Sequence, residues 1–423
     1  MKKRLSYKIL FISILIGLVT GLVVSLFRLL IPKFMDLIGY LLEFAGDGLI
    51  NSLVFIGAFL FIGFIVSICA SKEPMISGSG IPQISGKLSN KLSYNPLTCL
   101  IYKLIGGILS IGSGLSLGRE GPSVQIAGSI GEIIARKFKL DKDDTDMMIV
   151  ASSSSGIVSA FTAPISALAF SIEELMKKTK RIGFIYIAAT TITSALVTSL
   201  LIGTNPSIDV KNSLDLSIKY WPYVLGLGIV VGISSLIFNE GILFGKSIYK
   251  KLPFSEKLKA ILPFLITALV LLFDKRMLGS GESFISLAQD GNEEIGLLLY
   301  FYIAKLLLLL IAFCSGIPGG IFFPLLALGA LLGNIYGSFL NNFGLIGNEE
   351  IIIFSMLAMA AHFAAIVRAP LTGMFLIIEM TGGKIDFLLP LIMVTSISYL
   401  TAEILNNEPI YESLLDKMIE NDA

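Results

Sequence analysis

Charged residues are scarce in this sequence. Asp, Glu, Lys and Arg make up 15% of its 423 residues, against about 25% in an average soluble domain. Hydrophobic residues make up 54%, and the mean hydropathy is +0.84. This composition excludes an ordinary soluble protein and indicates a chain that crosses a membrane many times.

Cysteine and histidine are nearly absent as well. The three cysteines, Cys69, Cys99 and Cys314, show neither a CxxC pair nor the spacing of metal ligands, so the sequence predicts no disulfide framework, no zinc site and no cofactor. The net charge is only +1, which gives no reason to expect nucleic acid as a partner. The sole histidine, His362, lies in an apolar segment and is interpreted as a packed, hydrogen-bonded residue.

Long uncharged stretches fill most of the chain. Residues 9–27 carry no charge, and about 20 apolar residues cross the hydrocarbon core as a helix. This run is too long for a typical signal peptide and no small-residue cleavage site follows it, so a retained first helix is predicted. Further apolar runs lie at roughly 53–70, 99–117, 147–172, 182–203, 222–245, 259–273, 296–314, 321–340, 351–379 and 386–405.

Loop charges predict the orientation, because Lys and Arg concentrate on the cytoplasmic side of membrane proteins. The N-terminus and the stretches 71–98, 177–181 and 246–259 are basic and are predicted to be cytoplasmic. The stretch 274–294 is acidic and is predicted to face outwards. Both termini are expected in the cytoplasm, with residues 406–423 as a short tail and no soluble domain on either side of the spans.

An internal repeat divides the chain into two related halves, at about 53–203 and about 222–405. Small-residue patterns recur in membrane helices because they allow close packing, but here several matches stay in register and include prolines. Gly- and Pro-interrupted segments at matching places in two halves indicate a substrate site near the bilayer midplane. The matched positions are Ser113-Gly114 with Ser315-Gly316, Gly118 with Gly320, Pro122 with Pro324, Gly131 with Gly333, Ala163-Pro164 with Ala369-Pro370, and Glu173 with Glu379.

Three Gly- and Pro-containing motifs predict helices that begin inside the membrane: GSGIP (78–82), GREGP (118–122) and GGIFFP (319–324). A helix that begins at depth presents free N–H groups and the positive end of its dipole, which is an anion site. The first and third motifs offer a hydroxyl and amides but no full positive charge. Weak, distributed donors suit an anion that must both enter and leave.

The three motifs in this order resemble the signature of the CLC family of chloride channels and chloride/proton antiporters. The resemblance implies an all-α polytopic membrane protein, a single transmembrane domain over 1–423, with two inverted-topology repeats and broken, re-entrant helices. It implies that the Ser79 hydroxyl, the Ile321 and Phe322 amides and the Tyr411 phenol hold the central anion. The Gly78 backbone would lie near the inner anion site.

Two acids receive roles from the same resemblance. Glu120, in GREGP, resembles the external gating glutamate, a carboxylate that competes with the anion for its site; the alternative is a structural ion pair with Arg119. Glu174, in the IEE sequence, resembles the internal proton-transfer glutamate of antiporters. Glu173 and Glu174 could instead be interfacial acids paired to nearby lysines. Since Glu173 matches Glu379 in the repeat, Glu173 is interpreted as the architectural acid.

The expected function is exchange of chloride for protons by a homodimer in a prokaryotic cell (inner) membrane, without ATP. Ser79 and Pro122 favour chloride, because fluoride and nitrate specialists of the family tend to replace one or both. A passive chloride channel is the first alternative. An intramembrane serine protease that uses His362 is the second, although no GxSG signature is present. An ATP-driven pump is disfavoured, because GILFGKS (241–247) is one residue short of a phosphate-binding loop.

Overall fold

The chain is described here from a computed structural model, which covers residues 6–176, 183–206, 208, 215–287, 293–383 and 385–422. Within these ranges the regular structure is helical, and strand pairing is limited to two isolated bridges. The predicted basic run 177–181 lies outside them, as does part of the acidic stretch. The α-helices are α1 (Tyr7–Ala45), α2 (Leu49–Lys72), α3 (Ile81–Leu88), α4 (Pro96–Gly112), α5 (Glu120–Lys137), α6 (Lys142–Phe161), α7 (Pro164–Phe170), α8 (Gly183–Ile202), α9 (Trp221–Lys251), α10 (Glu256–Phe273), α11 (Glu282–Leu287), α12 (Ile295–Cys314), α13 (Phe322–Asn342), α14 (Asn348–Val367), α15 (Pro370–Met380), α16 (Leu388–Ile404) and α17 (Ile410–Asp422).

Seven of the described helices are long and apolar enough to cross a membrane: α1, α2, α8, α9, α12, α13 and α14. They differ in how much protein surrounds them. The most apolar window of α14 is 94% buried inside the protein, whereas that of α8 is 33% buried. Helix α14 therefore belongs to the core of the molecule, whereas most of the apolar window of α8 is not covered by the described chain.

The helices pack as two similar sets. Helix α1 packs on α6 and α8, as α9 packs on α14 and α16. Helices α4 and α5 pair as α12 and α13 do, and the most extensive contacts are those of α5 with α6 and of α13 with α14. Helix α1 thus occupies in the first set the place that α9 has in the second. The predicted bounds of the two halves stay a prediction.

The two halves cap each other's helices. The Glu173 carboxylate accepts hydrogen bonds from the backbone N–H groups of Leu371 and Thr372, in the first turn of α15, at 2.9 and 2.8 Å. The Glu379 carboxylate accepts the equivalent pair from the first turn of α7, both at 2.8 Å. An acid at a helix N-terminus satisfies free donors and opposes the dipole. The interpretation of Glu173 as an architectural acid is therefore confirmed.

Two of the apolar runs each contain two helices. The run 147–172 is broken between α6 and α7, and the run 351–379 is broken between α14 and α15. The helix before each break ends on a left-handed residue, Thr162 at φ +59° or Arg368 at φ +68°. An Ala-Pro pair follows both, and the proline begins the next helix, where it needs no N–H partner. The structure thus contains broken helices at these points, although each run is one apolar stretch in the sequence.

Candidate anion pathway

The loops before α3, α5 and α13 meet at the interface between the halves. The backbone of Gly118 and that of Gly320 exchange two hydrogen bonds, each of 2.7 Å. The Gly78 N–H donates to the Ile317 carbonyl at 3.0 Å, and the Gly319 N–H donates to the Gly78 carbonyl at 3.1 Å. These contacts bring the starts of the three predicted helices to one place, where their free N–H groups converge.

Gly80 allows the loop of the first motif to lie close to α5. Its φ is +93°, a conformation that glycine adopts without strain. A Cβ at this position would lie 2.5 Å from the Cβ of Gln125 and 2.6 Å from its Oε1. Any larger residue would push Ser79 away from α5, and so from the start of the helix that carries Glu120.

Ser79 and Tyr411 face each other at this meeting point. Both are buried, at 2% exposure each, and the Tyr411 phenol lies beside the Ser79 side chain. The Tyr411 hydroxyl has no hydrogen-bond partner among the described residues. A buried donor without a protein acceptor is costly unless another group satisfies it, so these two hydroxyls fit a bound anion.

Ile321 and Phe322 form the start of α13. Ile321 is the N-terminal cap and Phe322 the first helical residue, and both are fully buried. The Phe322 ring packs against Phe161 and Phe363, with centroid distances of 5.3 and 4.5 Å. The free amides of this helix end therefore lie in an apolar surrounding, where their attraction for an anion is less screened by water.

The Glu120 carboxylate points at the same helix end. It lies against its own amide and that of Phe323, and the side chain is 1% exposed. The nearest cation is Arg119, whose Nε is 3.7 Å from Oε1 and which also contacts Glu282 at 3.8 Å. Neither Arg119 Nε nor Glu120 Oε2 has a hydrogen-bond partner in the described ranges. The ion pair with Arg119 is therefore loose, which speaks against a purely structural role for Glu120.

Glu174 comes from an element other than the three helix starts. It is 7% exposed and sits in a single turn of π-helix (Ser171–Leu175) that continues α7. Tyr411 lies near enough to both Glu174 and Glu120 for their charges to act on it. The structure thus brings Ser79, Ile321, Phe322, Tyr411 and Glu120 to one place, and Glu174 is near Tyr411.

Two buried lysines were missed by the sequence reasoning. Lys103 is fully buried and donates to the carbonyls of Ile76 and Gly78, both at 2.7 Å. Lys305, its partner in the repeat, makes the equivalent bonds in the second half at 2.8 and 2.6 Å. Lys103 anchors the loop that carries Ser79 and places a positive charge behind it. The signal was available, because these lysines begin the two matched segments of the repeat.

His362 is packed and hydrogen-bonded, as predicted. Its Nδ1 is 2.7 Å from the carbonyl oxygen of Leu325, and its Nε2 is 3.4 Å from the Ser234 hydroxyl, which is itself 2.8 Å from Tyr302. A nucleophilic serine needs a base that a third group orients. Here a backbone carbonyl holds the imidazole and the serine contact is long, which argues against the protease alternative.

The GILFGKS stretch lies inside the continuous helix α9. A phosphate-binding loop works through backbone N–H groups that point at the phosphates. Within a helix those groups are bonded to carbonyls four residues earlier. The geometry therefore argues against nucleotide binding at 241–247.

Curated relatives match the whole length of the chain. The H(+)/Cl(-) exchange transporter ClcA of Vibrio campbellii is 32% identical over 431 residues, covering 99% of this chain and 91% of that protein. The protein of the same name from Salmonella agona is 33% identical over 422 residues, covering 97% of this chain and 89% of its own.

Solved structures share the fold. A slow cyanobacterial Cl-/H+ antiporter superposes with a TM-score of 0.93 at 26% identity, over 99% of both chains. A eukaryotic CLC transporter gives a TM-score of 0.80 at 20% identity, over 97% of this chain and 74% of that one. The second likeness concerns the fold alone.

The family model described as voltage gated chloride channel matches residues 58–403. This range includes the three helix starts, both acids of the pathway and the paired helices α7 and α15. The match agrees with the resemblance in the motifs and with a multi-pass integral membrane protein. The chain therefore belongs to the voltage gated chloride channel family.

Proposed function

We propose that this protein is a secondary active transporter that exchanges chloride for protons, and not an enzyme. The observation that carries this proposal is the position of the Glu120 carboxylate. It is buried against the N-terminus of α13, where an anion would bind, and its ion pair with Arg119 is loose. The relatives named as H(+)/Cl(-) exchange transporters support exchange over a passive channel.

The central chloride is held by the hydroxyls of Ser79 and Tyr411 and by the amides of Ile321 and Phe322. These groups are buried and come from three separate elements. The Gly78 backbone contributes to a neighbouring inner position. All of them are dipoles without full charge, which suits an ion that is bound for a short time and then released.

Glu120 couples the two ions because it is itself a substitute anion. When charged, it occupies the site at α13 and excludes chloride. When protonated, it loses its attraction to the helix end, and chloride takes its place. Glu174 supplies protons from the other side of Tyr411, along a route that does not follow the anion.

Several wider assignments belong to the same proposal. The transporter is a homodimer in a prokaryotic cell (inner) membrane, and both termini lie in the cytoplasm. The five lysines of 246–259 support this orientation. Chloride is the favoured anion, because Ser79 and Pro122 are both present.

The test is chloride-driven proton movement in liposomes that contain the purified full chain. The variants are Glu120→Gln, Glu174→Gln and, as a control, the exposed Glu349→Gln. Wild type and Glu349→Gln should move protons against a chloride gradient. Glu120→Gln and Glu174→Gln should still pass chloride but move no protons. Proton movement that persists in Glu120→Gln contradicts the proposed coupling.

A further inference from the structure

The loop between α16 and α17 contains one buried residue, Asn407. It is 4% exposed, whereas its neighbours in 403–408 are all exposed. Helix α17 begins at Ile410, and its second residue is Tyr411, whose phenol belongs to the proposed anion site. The contacts that hold Asn407 therefore fix the backbone four positions before that phenol.

The side chain of Asn407 binds α9. Its Oδ1 accepts a hydrogen bond from Asn239 Nδ2 at 2.9 Å, and its Nδ2 donates to the Ser235 hydroxyl at 3.0 Å. Asn239 Nδ2 also donates to the Glu408 carbonyl at 2.9 Å. Asn239 and Ser235 are 2% and 0% exposed, and a buried hydrogen bond is costly to lose because the remaining group is left unpaired. The loop is therefore attached to α9 at two consecutive residues.

Arg368 binds the same loop from the break between α14 and α15. Its Nη2 donates to the Asn407 carbonyl at 2.6 Å, and its Nη1 donates to the Tyr399 carbonyl at 2.7 Å. The side chain is 8% exposed, and the guanidinium carbon lies 4.7 Å from the centre of the Tyr399 ring. Bonds from a charged donor are roughly twice as strong as those between neutral groups, so Arg368 connects the break, α16 and the loop firmly. We name Asn407, Asn239 and Arg368 the loop cluster.

The Tyr411 hydroxyl has no comparable support of its own. It has no hydrogen-bond partner among the described residues, and the phenol lies beside the Ser79 side chain. Its position is therefore set by the packing of the ring and by the place where the backbone of α17 begins. A displacement of that start by about 1 Å would take the hydroxyl beyond hydrogen-bond distance of an ion at Ser79.

We propose that the loop cluster positions Tyr411: it holds the start of α17 so that the phenol donates a hydrogen bond to the chloride bound at Ser79. This inference rests on the proposed function, since the chloride is the transported ion. The three side chains of the cluster act through the backbone of the loop and not by touching the ion. Their loss should weaken chloride binding by as much as the phenol contributes.

The experiment measures chloride binding by isothermal titration calorimetry in detergent, on the purified full chain. Asn407→Leu keeps the branched shape of the side chain without its hydrogen bonds, and Arg368→Met keeps the stem without the charge. Each should raise the Kd for chloride about three- to tenfold, the effect of losing one neutral hydrogen bond. Asn239→Leu should have the same effect.

Two controls accompany these variants. Asn406→Gly changes an exposed residue of the same loop, at a φ of +52° that glycine adopts without strain, and should bind chloride like wild type. Asn334→Leu removes a buried asparagine of α13 whose Oδ1 accepts a hydrogen bond from Ser338 at 3.1 Å. It should lower the Tm as Asn407→Leu does but leave the Kd unchanged, because its bond lies within α13 and not at the loop.

The decisive comparison repeats the variants in a Tyr411→Phe background, which lacks the hydroxyl. If the loop cluster acts through that hydroxyl, Asn407→Leu should change the Kd of Tyr411→Phe by less than about twofold, a non-additive result. A side chain that only stabilises the fold would change the Kd by the same factor in both backgrounds. If Asn407→Leu fails to fold, Asn407→Ser, which is too short to bond Asn239, takes its place.

The inference is overturned if Asn407→Leu and Arg368→Met keep the Kd of Asn406→Gly, or if their effect on the Kd is the same with and without the Tyr411 hydroxyl. A wild type that binds chloride but does not exchange it for protons in liposomes would instead contradict the proposed function. The binding comparison would then still decide the role of the loop cluster, so the two failures are distinguishable.

Discussion

At the scale of single residues, Lys103 offers a test that the sequence motifs did not suggest. Lys103→Met keeps the bulk of the side chain but removes the charge behind Ser79 and the bonds to two carbonyls. One charge at this depth contributes about 1–2 kcal/mol to anion binding at an effective dielectric constant of ~20. We expect chloride affinity to fall roughly five- to thirtyfold, measured by isothermal titration calorimetry in detergent.

Lys305→Met is the matched control. It removes the same two bonds in the second half, but Lys305 anchors the loop at 277–279 and not the loop of Ser79. Both variants should lose thermal stability to a similar extent, because each removes two hydrogen bonds to buried carbonyls. Equal losses of chloride affinity in the two variants would show that Lys103 has no electrostatic role of its own.

The residues of the pathway could be predicted to the extent that their signal is local. Gly and Pro motifs predict the start of a helix to within a few positions. In the structure the predicted starts meet near Ser79, Ile321 and Phe322. Lys103 could not be recognised in this way, because its carbonyl partners lie 25 and 27 positions earlier in the chain. The sequence signal for this lysine is not a local motif but the internal repeat, in which Lys305 begins the matched segment of the second half.

At the scale of the helices, the reciprocal caps formed by Glu173 and Glu379 should be equivalent. Glu173→Gln and Glu379→Gln each remove the charge that opposes a helix dipole and weaken two hydrogen bonds to N–H groups. We expect each to lower the free energy of unfolding by about 1–3 kcal/mol, seen as a lower Tm in detergent.

The control for both caps is Glu403→Gln. Glu403 is 66% exposed and lies 3.3 Å from Arg368, and exposed pairs contribute about 0–1 kcal/mol. Its Tm should stay near wild type. If one of the two cap variants had the Tm of Glu403→Gln while the other was destabilised, the two caps would not be equivalent.

Helix boundaries were predicted less well than helix starts, for a physical reason. Hydropathy continues through the breaks after Thr162 and Arg368, so each apolar run hid two helices. Helix α1 likewise runs to Ala45, well past the predicted 9–27. Its Arg28 is accommodated because the guanidinium donates to the Thr162 hydroxyl at 2.8 Å and to the Ser159 carbonyl at 3.2 Å, contacts that no local pattern indicates.

At the scale of the whole molecule, the proposed orientation is open to a labelling test. Lys251 and Lys275 are exposed on either side of α10, a helix of 18 residues that is about 27 Å long at 1.5 Å per residue. In intact cells a membrane-impermeant maleimide should label Lys275→Cys, and should label Lys251→Cys only after permeabilisation. The native cysteines are buried and should give little background. The reverse pattern would invert the topology.

Each half of this chain supplies the acid that the other half's helix needs, through Glu173 and Glu379. One half alone in a bilayer would carry a surplus carboxylate and a bare helix end. Two identical copies, inserted in opposite directions, would satisfy both needs at once. A gene that was duplicated and fused would therefore already encode both reciprocal caps, and no new contact between the halves would have to evolve.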